Sequence, residues 1–128
     1  MKTSTSGFTL IELLIVVVII GLLATIAIPK FSSTREKAFM AAAKADLRNL
    51  ASQQEIFHNS NYTFSSDLAA LAFVSSEGVT VIVGEATGAG WSGTATHAGI
   101  PSESCSIYHG SATPVLPATV ESVVMCSR

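Results

Sequence analysis

From Phe8 to Pro29 nearly every side chain is apolar, and Glu12 is the one charged residue in the stretch. As a helix this run rises about 30 Å, the thickness of a bilayer's hydrocarbon core, so it is long enough to span a membrane. A cleavable secretory signal has a shorter apolar region of about 7–15 residues with a small-x-small cleavage site behind it. Here Pro29-Lys30-Phe31 leads straight into further helix-like sequence, so the run reads as retained. It also accounts for a composition that would be odd in an ordinary water-soluble domain, 48% hydrophobic and only 12% charged among 128 residues. Once it and the segment before it are set aside, about 100 residues remain, enough for one small domain with a modest core.

Glu12 makes the run more than an anchor. A carboxylate inside a spanning helix costs roughly 2.5–3.5 kcal/mol at the bilayer centre and less near its edge, and it calls for a cationic partner. No Lys or Arg lies within the run, and Lys2 is ten residues back. A cut after Gly7 would supply a new amine at Phe8, one helical turn from Glu12. The plainer reading is an acidic residue in a helix's first turn, favoured there by the macrodipole.

Lys2, Gly7-Phe8-Thr9-Leu10-Ile11-Glu12, the apolar run, Gly21 and Pro29 fall in one register. Together they resemble the class III leader and N-terminal helix of type IV pilins and the related type II secretion pseudopilins. The likeness covers the first third of the chain closely and the rest in outline. It implies that residues 1–7 are a leader removed by a membrane-embedded prepilin peptidase, with cleavage between Gly7 and Phe8 and N-methylation of Phe8. It also gives Glu12 a role in docking to the amine of a neighbouring subunit. The implied partners are copies of the chain, joined through residues 8–29 into a homopolymer, and the inner-membrane pilus assembly machinery. Membrane lipid solvates the helix before assembly, and a finished filament would meet surface or DNA ligands.

Orientation is a point on which the signals differ. Lys30, Arg35 and Lys37 flank the far end of the span, whereas the leader offers Lys2 and the starting amine, so charge counting alone would keep the larger domain inside. The resemblance and the cysteine pair place it outside, in the periplasm, and then on the extracellular filament. Within the span, Pro29 lacks an amide hydrogen and crowds the carbonyl of Thr25, while Gly21 adds a second soft point. On its own this predicts a kink. The resemblance adds that the segment Gly21–Pro29 can lose helical structure on assembly.

Beyond Lys30 the pattern becomes amphipathic. Phe39, Ala43, Leu47, Leu50 and Phe57 gather on one side of a helix, and Lys30, Lys37, Lys44 and Arg48 on another. The helix is expected to run to about Asn59, with residues 30–59 packed on a head domain. Residues 30–48 hold five basic and two acidic groups, whereas residues 49–128 carry Glu55, Asp67, Glu77, Glu85, Glu103 and Glu121 against Arg128. The basic side is either a solvated face or a contact, first with anionic headgroups and then with acidic surfaces of other subunits.

Asn59-Ser60-Asn61 reads as a helix stop, and residues 60–78 as a loop with one short helical turn, capped by Ser65 or Ser66. Strands are expected at Gly78–Val83, Trp91–Ala95, Cys105–Tyr108 and Val120–Cys126, bounded by glycines and polar turn formers. Without helical periods between them, residues 79–128 should form an antiparallel meander, giving an α+β, pilin-like fold.

Signals for other functions are weak. Gly88-Ala89-Gly90-Trp91-Ser92-Gly93 spells G-x-G-x-x-G, but Thr94–Gly99 cannot open the long helix that a pyrophosphate site needs, so a glycine-rich hairpin is expected. His58, His97 and His109 fall on three different elements, and no acidic cluster suggests calcium. Asn61-Tyr62-Thr63 matches a glycosylation acceptor, a three-residue pattern that arises often by chance. No catalytic residue, metal or cofactor is expected, and the chain does not read as an enzyme. Cys105 and Cys126, the only cysteines, are either two reduced buried thiols or a bridge worth roughly 3 kcal/mol. The resemblance implies the bridge, which is common in type IV pilins and less so in major pseudopilins. A type IV pilin for adhesion, motility or DNA uptake is thus the first expectation, with a type II secretion pseudopilin next. A single-span anchored binding domain that never polymerises is the alternative of another kind.

Overall fold

A computed structural model describes Met1 and residues 6–128. Lys2–Thr5, part of the expected leader, lie outside the described residues. The chain divides into two compact units, Met1–Arg35 and Glu36–Arg128. The element order is a helix α1 (Leu10–Asn61) followed by strands β1 (Val79–Ala86), β2 (Gly90–His97), β3 (Ser104–Gly110) and β4 (Met125–Cys126).

In the first unit α1 starts at a capping box. Thr9 Oγ1 accepts from the Glu12 N–H at 3.3 Å, and the Glu12 carboxylate reaches back to the Thr9 N–H at 2.8 Å, so two donors that a helix start leaves open are satisfied reciprocally. The helix runs without a break through Gly21 and Pro29. At the other end, Asn61 Nδ2 donates to the Phe57 carbonyl, and Tyr62 takes φ 55° just after the last turn, a left-handed stop of the kind usually given to glycine. The expected end near Asn59 is thus two residues short of the observed one.

In the second unit the sheet is a meander of order β1-β2-β3-β4, each neighbouring pair antiparallel. Along β1 the side chains alternate as period-2 pleating requires: Val79 and Val81 are buried, Thr80 and Ile82 exposed. They meet Ala43, Leu47 and Leu50 of α1, spaced four and three residues apart, together with Trp91, Ala95, Cys105, Ile107 and Val124. β1 runs three residues beyond the expected Val83 because an irregularity between Val83 and Glu85 inserts Gly84. Pairing resumes there as the Glu85 N–H bonds to Ser92 Oγ.

Residues 90–93 of β2 are buried on both faces. The opposite face is covered by the chain after β3, which Ser106 pins: its hydroxyl donates to Val115 O at 2.6 Å and accepts from Ala118 N at 2.9 Å. Gly90 sits where a Cβ would lie 2.6–2.7 Å from the backbone nitrogens of Ser111 and Ala112, so this close crossing needs a residue without a side chain.

The expected strand Val120–Cys126 is corrected. Only Met125 and Cys126 pair with β3, opposite Ser106 and Cys105. Val120 and Val123 are exposed, and Ser122 takes φ 60°. Glu121 and Ser122 reach the end of β3 through their side chains, Glu121 accepting from the Gly110 N–H at 2.8 Å and Ser122 bonded to the His109 ring at 2.7 Å, and no regular ladder forms before Met125. Cys105 and Cys126 are joined by a disulfide across the β3–β4 pair.

The connection from α1 to β1 has no regular structure, yet two buried polar side chains of α1 hold it. Gln54, fully buried, accepts from the Ser65 N–H at 3.0 Å and donates to the Ser65 carbonyl at 2.6 Å. Asp46, also buried, accepts from the N–H and hydroxyl of Ser76, both at 2.7 Å. Between them Ser65 Oγ accepts from Asp67 N and Asp67 Oδ1 from Ala69 N, which caps the short turn expected there.

Candidate functional site

The first unit holds the residues expected to direct processing and assembly. Phe8 is 86% exposed, and Gly7 has open space where a side chain would stand. The large apolar side chains from Leu10 to Ile28 are all exposed. This surface is long and apolar enough to cross a membrane. Within it Glu12 has a partner of its own: besides the backbone bond, the Thr9 hydroxyl donates to Glu12 Oε2 at 2.8 Å. One carboxylate oxygen thus takes two donors from Thr9. Further along, the Thr25 hydroxyl turns onto the Leu22 carbonyl at 2.7 Å, a local bond that hides a polar group in the span. A Cβ at Gly21 would meet nothing within 4 Å, so no packing inside this unit requires glycine there.

The second unit brings together two histidines. His58 stacks on Phe64 with ring centroids 4.4 Å apart, and His109 meets the same ring edge-on at 5.6 Å. His97 is elsewhere, stacked on Phe39 at 4.0 Å and accepting from the Gly99 N–H. Among the described residues no group of three His, Cys, Asp or Glu side chains could hold a metal ion. His109 lies between two carboxylates, Glu55 at 3.8 Å and Glu121 at 3.9 Å. It borders a cleft of about 250 Å³ with Ser52, Glu55, Trp91 and Ser122. The Trp91 indole N–H, buried at the wall of this cleft, has no hydrogen-bond partner among the described residues. The glycines of Gly88–Gly93 serve the β1–β2 connection and enter β2, and strand follows them instead of helix.

Residues 2–28 match the family described as the prokaryotic N-terminal methylation motif. Over this segment the chain is similar to pilins and pseudopilins. It is 38% identical over 61 residues to the type II secretion system core protein G of Pseudomonas aeruginosa, an alignment covering 48% of this chain and 43% of that protein. It is 40% identical over 72 residues to the type IV major pilin protein PilA of Myxococcus xanthus, covering 56% and 33%. Against the type IV wide pilus major component PilA4 of Thermus thermophilus the figures are 42% over 65 residues, covering 51% and 50%. The alignments thus span a third to a half of the length of these relatives.

The α+β architecture expected from the sequence is present, a long N-terminal helix and a small antiparallel sheet. Of the residues singled out in the sequence, Phe8 stands just before α1 and Glu12 in its first turn, with Thr9 between them. Gly21 and Pro29 lie in continuous helix, and Cys105 and Cys126 form the bridge. Thr9 was missed, although Thr-x-x-Glu ahead of an apolar run is the signature of a capping box. Asp46 and Gln54 were missed as well. Their partners are backbone and side-chain groups of a loop 30 and 11 residues away, which no local pattern announces.

Proposed function

We infer that the chain is the structural subunit of a type IV pilus, stored in the inner membrane with its head in the periplasm and polymerised into a helical filament after its leader is cut. The observation that carries this is the exposed apolar helix Leu10–Ile28 with Glu12 near its start, set just behind Gly7-Phe8. In lipid that surface is solvated by acyl chains; on leaving the membrane it must be covered by the same surface of other copies, since no other apolar solvent is offered. Cleavage after Gly7 frees an amine at Phe8. Glu12 of a neighbour accepts that amine in exchange for the Thr9 donors. A charge pair in an apolar bundle acts mainly on register, because a shifted neighbour would leave it unpaired. Gly21 and Pro29 give the helix two weak points at which it adapts on assembly.

The disulfide Cys105–Cys126 supports the pilus over the secretion machine, being the more usual feature of pilins. A second reading, a type II secretion pseudopilin, is favoured by the similarity to core protein G of Pseudomonas aeruginosa. Prepilin peptidase and an inner-membrane assembly machinery serve both. The mass of the native protein tests processing and compartment together. A start at methylated Phe8, with two hydrogens missing for the cysteines, is expected. Recovery with residues 1–7 attached refutes the reading. Long surface fibres containing the chain separate pilus from pseudopilus. Crosslinks between Phe8–Pro29 segments of different copies separate both from an anchored domain that never polymerises.

A further inference from the structure

The unit Glu36–Arg128 carries two clefts of opposite charge. One, of about 300 Å³, is lined by Lys37, Met40, Lys44, Met125 and Arg128 among others. Lys37 and Lys44 are seven residues apart on α1, so both ammonium groups leave one helix face, about 10 Å apart. Neither has a carboxylate within 4 Å among the described residues, whereas Arg128 is held by Glu36 at 2.9 Å. Two positive charges therefore remain uncompensated. The other cleft is the one beside His109. The side chains of Glu55 and Glu121 are 55% and 54% exposed there, and the lone imidazole between them can offset one negative charge at most.

We propose that the two clefts are the halves of a head-to-tail contact, in which the Lys37–Lys44 groove of one subunit seats the Glu55 and Glu121 carboxylates of the next. This rests on the polymerising reading and names the surfaces it uses. Because the halves are different patches, the contact is heterologous and need not close, so repetition gives an open helical array. Counted along α1, the basic groove precedes the acidic cleft by roughly 20 Å, which sets the stagger between copies that share the contact. It is a different contact from that between Glu12 and an amine, and it accounts for the segregation of charge seen in the sequence, basic in residues 30–48 and acidic after them. Complementary charge of this kind steers encounter and rejects wrong registers more than it adds affinity.

The test uses the full-length chain in cells that make the filament, with membrane content of the chain measured beside filament yield. Lys44→Glu and Glu55→Lys, each alone, are expected to lower the yield at least tenfold, and the two together to restore it to within about threefold. Cysteine pairs give an independent readout. Lys44→Cys with Glu55→Cys should form ladders on oxidation of filaments, and Lys44→Cys alone should not. Positions 44 and 55 are about 16 Å apart on one helix, too far for a bond within a chain. Undiminished yield in both single reversals overturns the proposal. So does a double reversal no better than the worse single at equal membrane content, or the absence of ladders. If Glu12→Ala abolishes filaments while the reversals do not, the polymerising reading stands and this contact alone is refuted. If the unaltered chain forms no filaments at all, both fall.

Discussion

Gln54→Leu tests whether a buried amide holds the helix-to-sheet connection in place. The substitution keeps side-chain volume and apolar contact while deleting both bonds to Ser65, at 2.6 and 3.0 Å. Ser65 is half-buried, so its N–H and C=O lose protein partners where water reaches them poorly. A buried group left unsatisfied costs about 1–3 kcal/mol; taking the lower part of that range for each gives a loss of about 2 kcal/mol. For a unit of about 90 residues that corresponds to a fall in Tm of about 8–16 °C. The assay is thermal unfolding of the full chain in detergent micelles, followed by near-ultraviolet circular dichroism with the disulfide intact. Gln53→Leu, the same change on the adjoining half-buried side chain, is the control and should stay within about 0.5 kcal/mol. Amide exchange at residues 62–78 should quicken in Gln54→Leu before the sheet is affected. A melting point within about 2 °C of the parent, or an equal fall for Gln53→Leu, would show that the amide does not anchor this segment.

Other consequences follow from single contacts. Glu12→Ala should leave membrane insertion unchanged but cut filament yield, measured as sheared fibres against total chain; normal fibres would remove Glu12 from the assembly mechanism. Replacing Cys105 and Cys126 together by serine should cost about 3 kcal/mol for a loop with a sequence separation of 21, read as a lowered Tm that added reductant does not lower further. Gly90→Ala should destabilise by about 3 kcal/mol or more because its Cβ would meet the backbone of Ser111 and Ala112. Gly84→Ala, whose Cβ meets the Ser92 hydroxyl at 3.2 Å, should cost less than about 1 kcal/mol by the same unfolding assay.

Periodicity made the helix and the order of the strands legible before any coordinates. Ala43, Leu47 and Leu50 repeat as a helix face must, and Val79 and Val81 alternate as a half-buried strand must. The terminal strand was misjudged because Val120, Val123 and Val124 look β-forming by composition. Glu121 and Ser122 decide otherwise, by bonding to Gly110 and His109 across the turn. The layer formed by residues 111–119 was equally hidden, since Ser106 and Glu85 hold it through bonds set by tertiary contact. At the proposed processing site the reverse holds. Gly7, Phe8 and Glu12 are chemically distinctive where they stand, and what the fold adds is the bond from the Thr9 hydroxyl.

That bond changes how the acid should be thought of during storage. On the storage-and-assembly proposal, the carboxylate would enter the bilayer with both Thr9 donors already on Oε2, so its residence there would not depend on finding a mate at once. On that proposal an arriving amine must outcompete a neighbour three residues away instead of filling a vacancy. Recruitment then becomes a swap with a modest net gain, which lets an ill-placed subunit back out before the lattice closes around it.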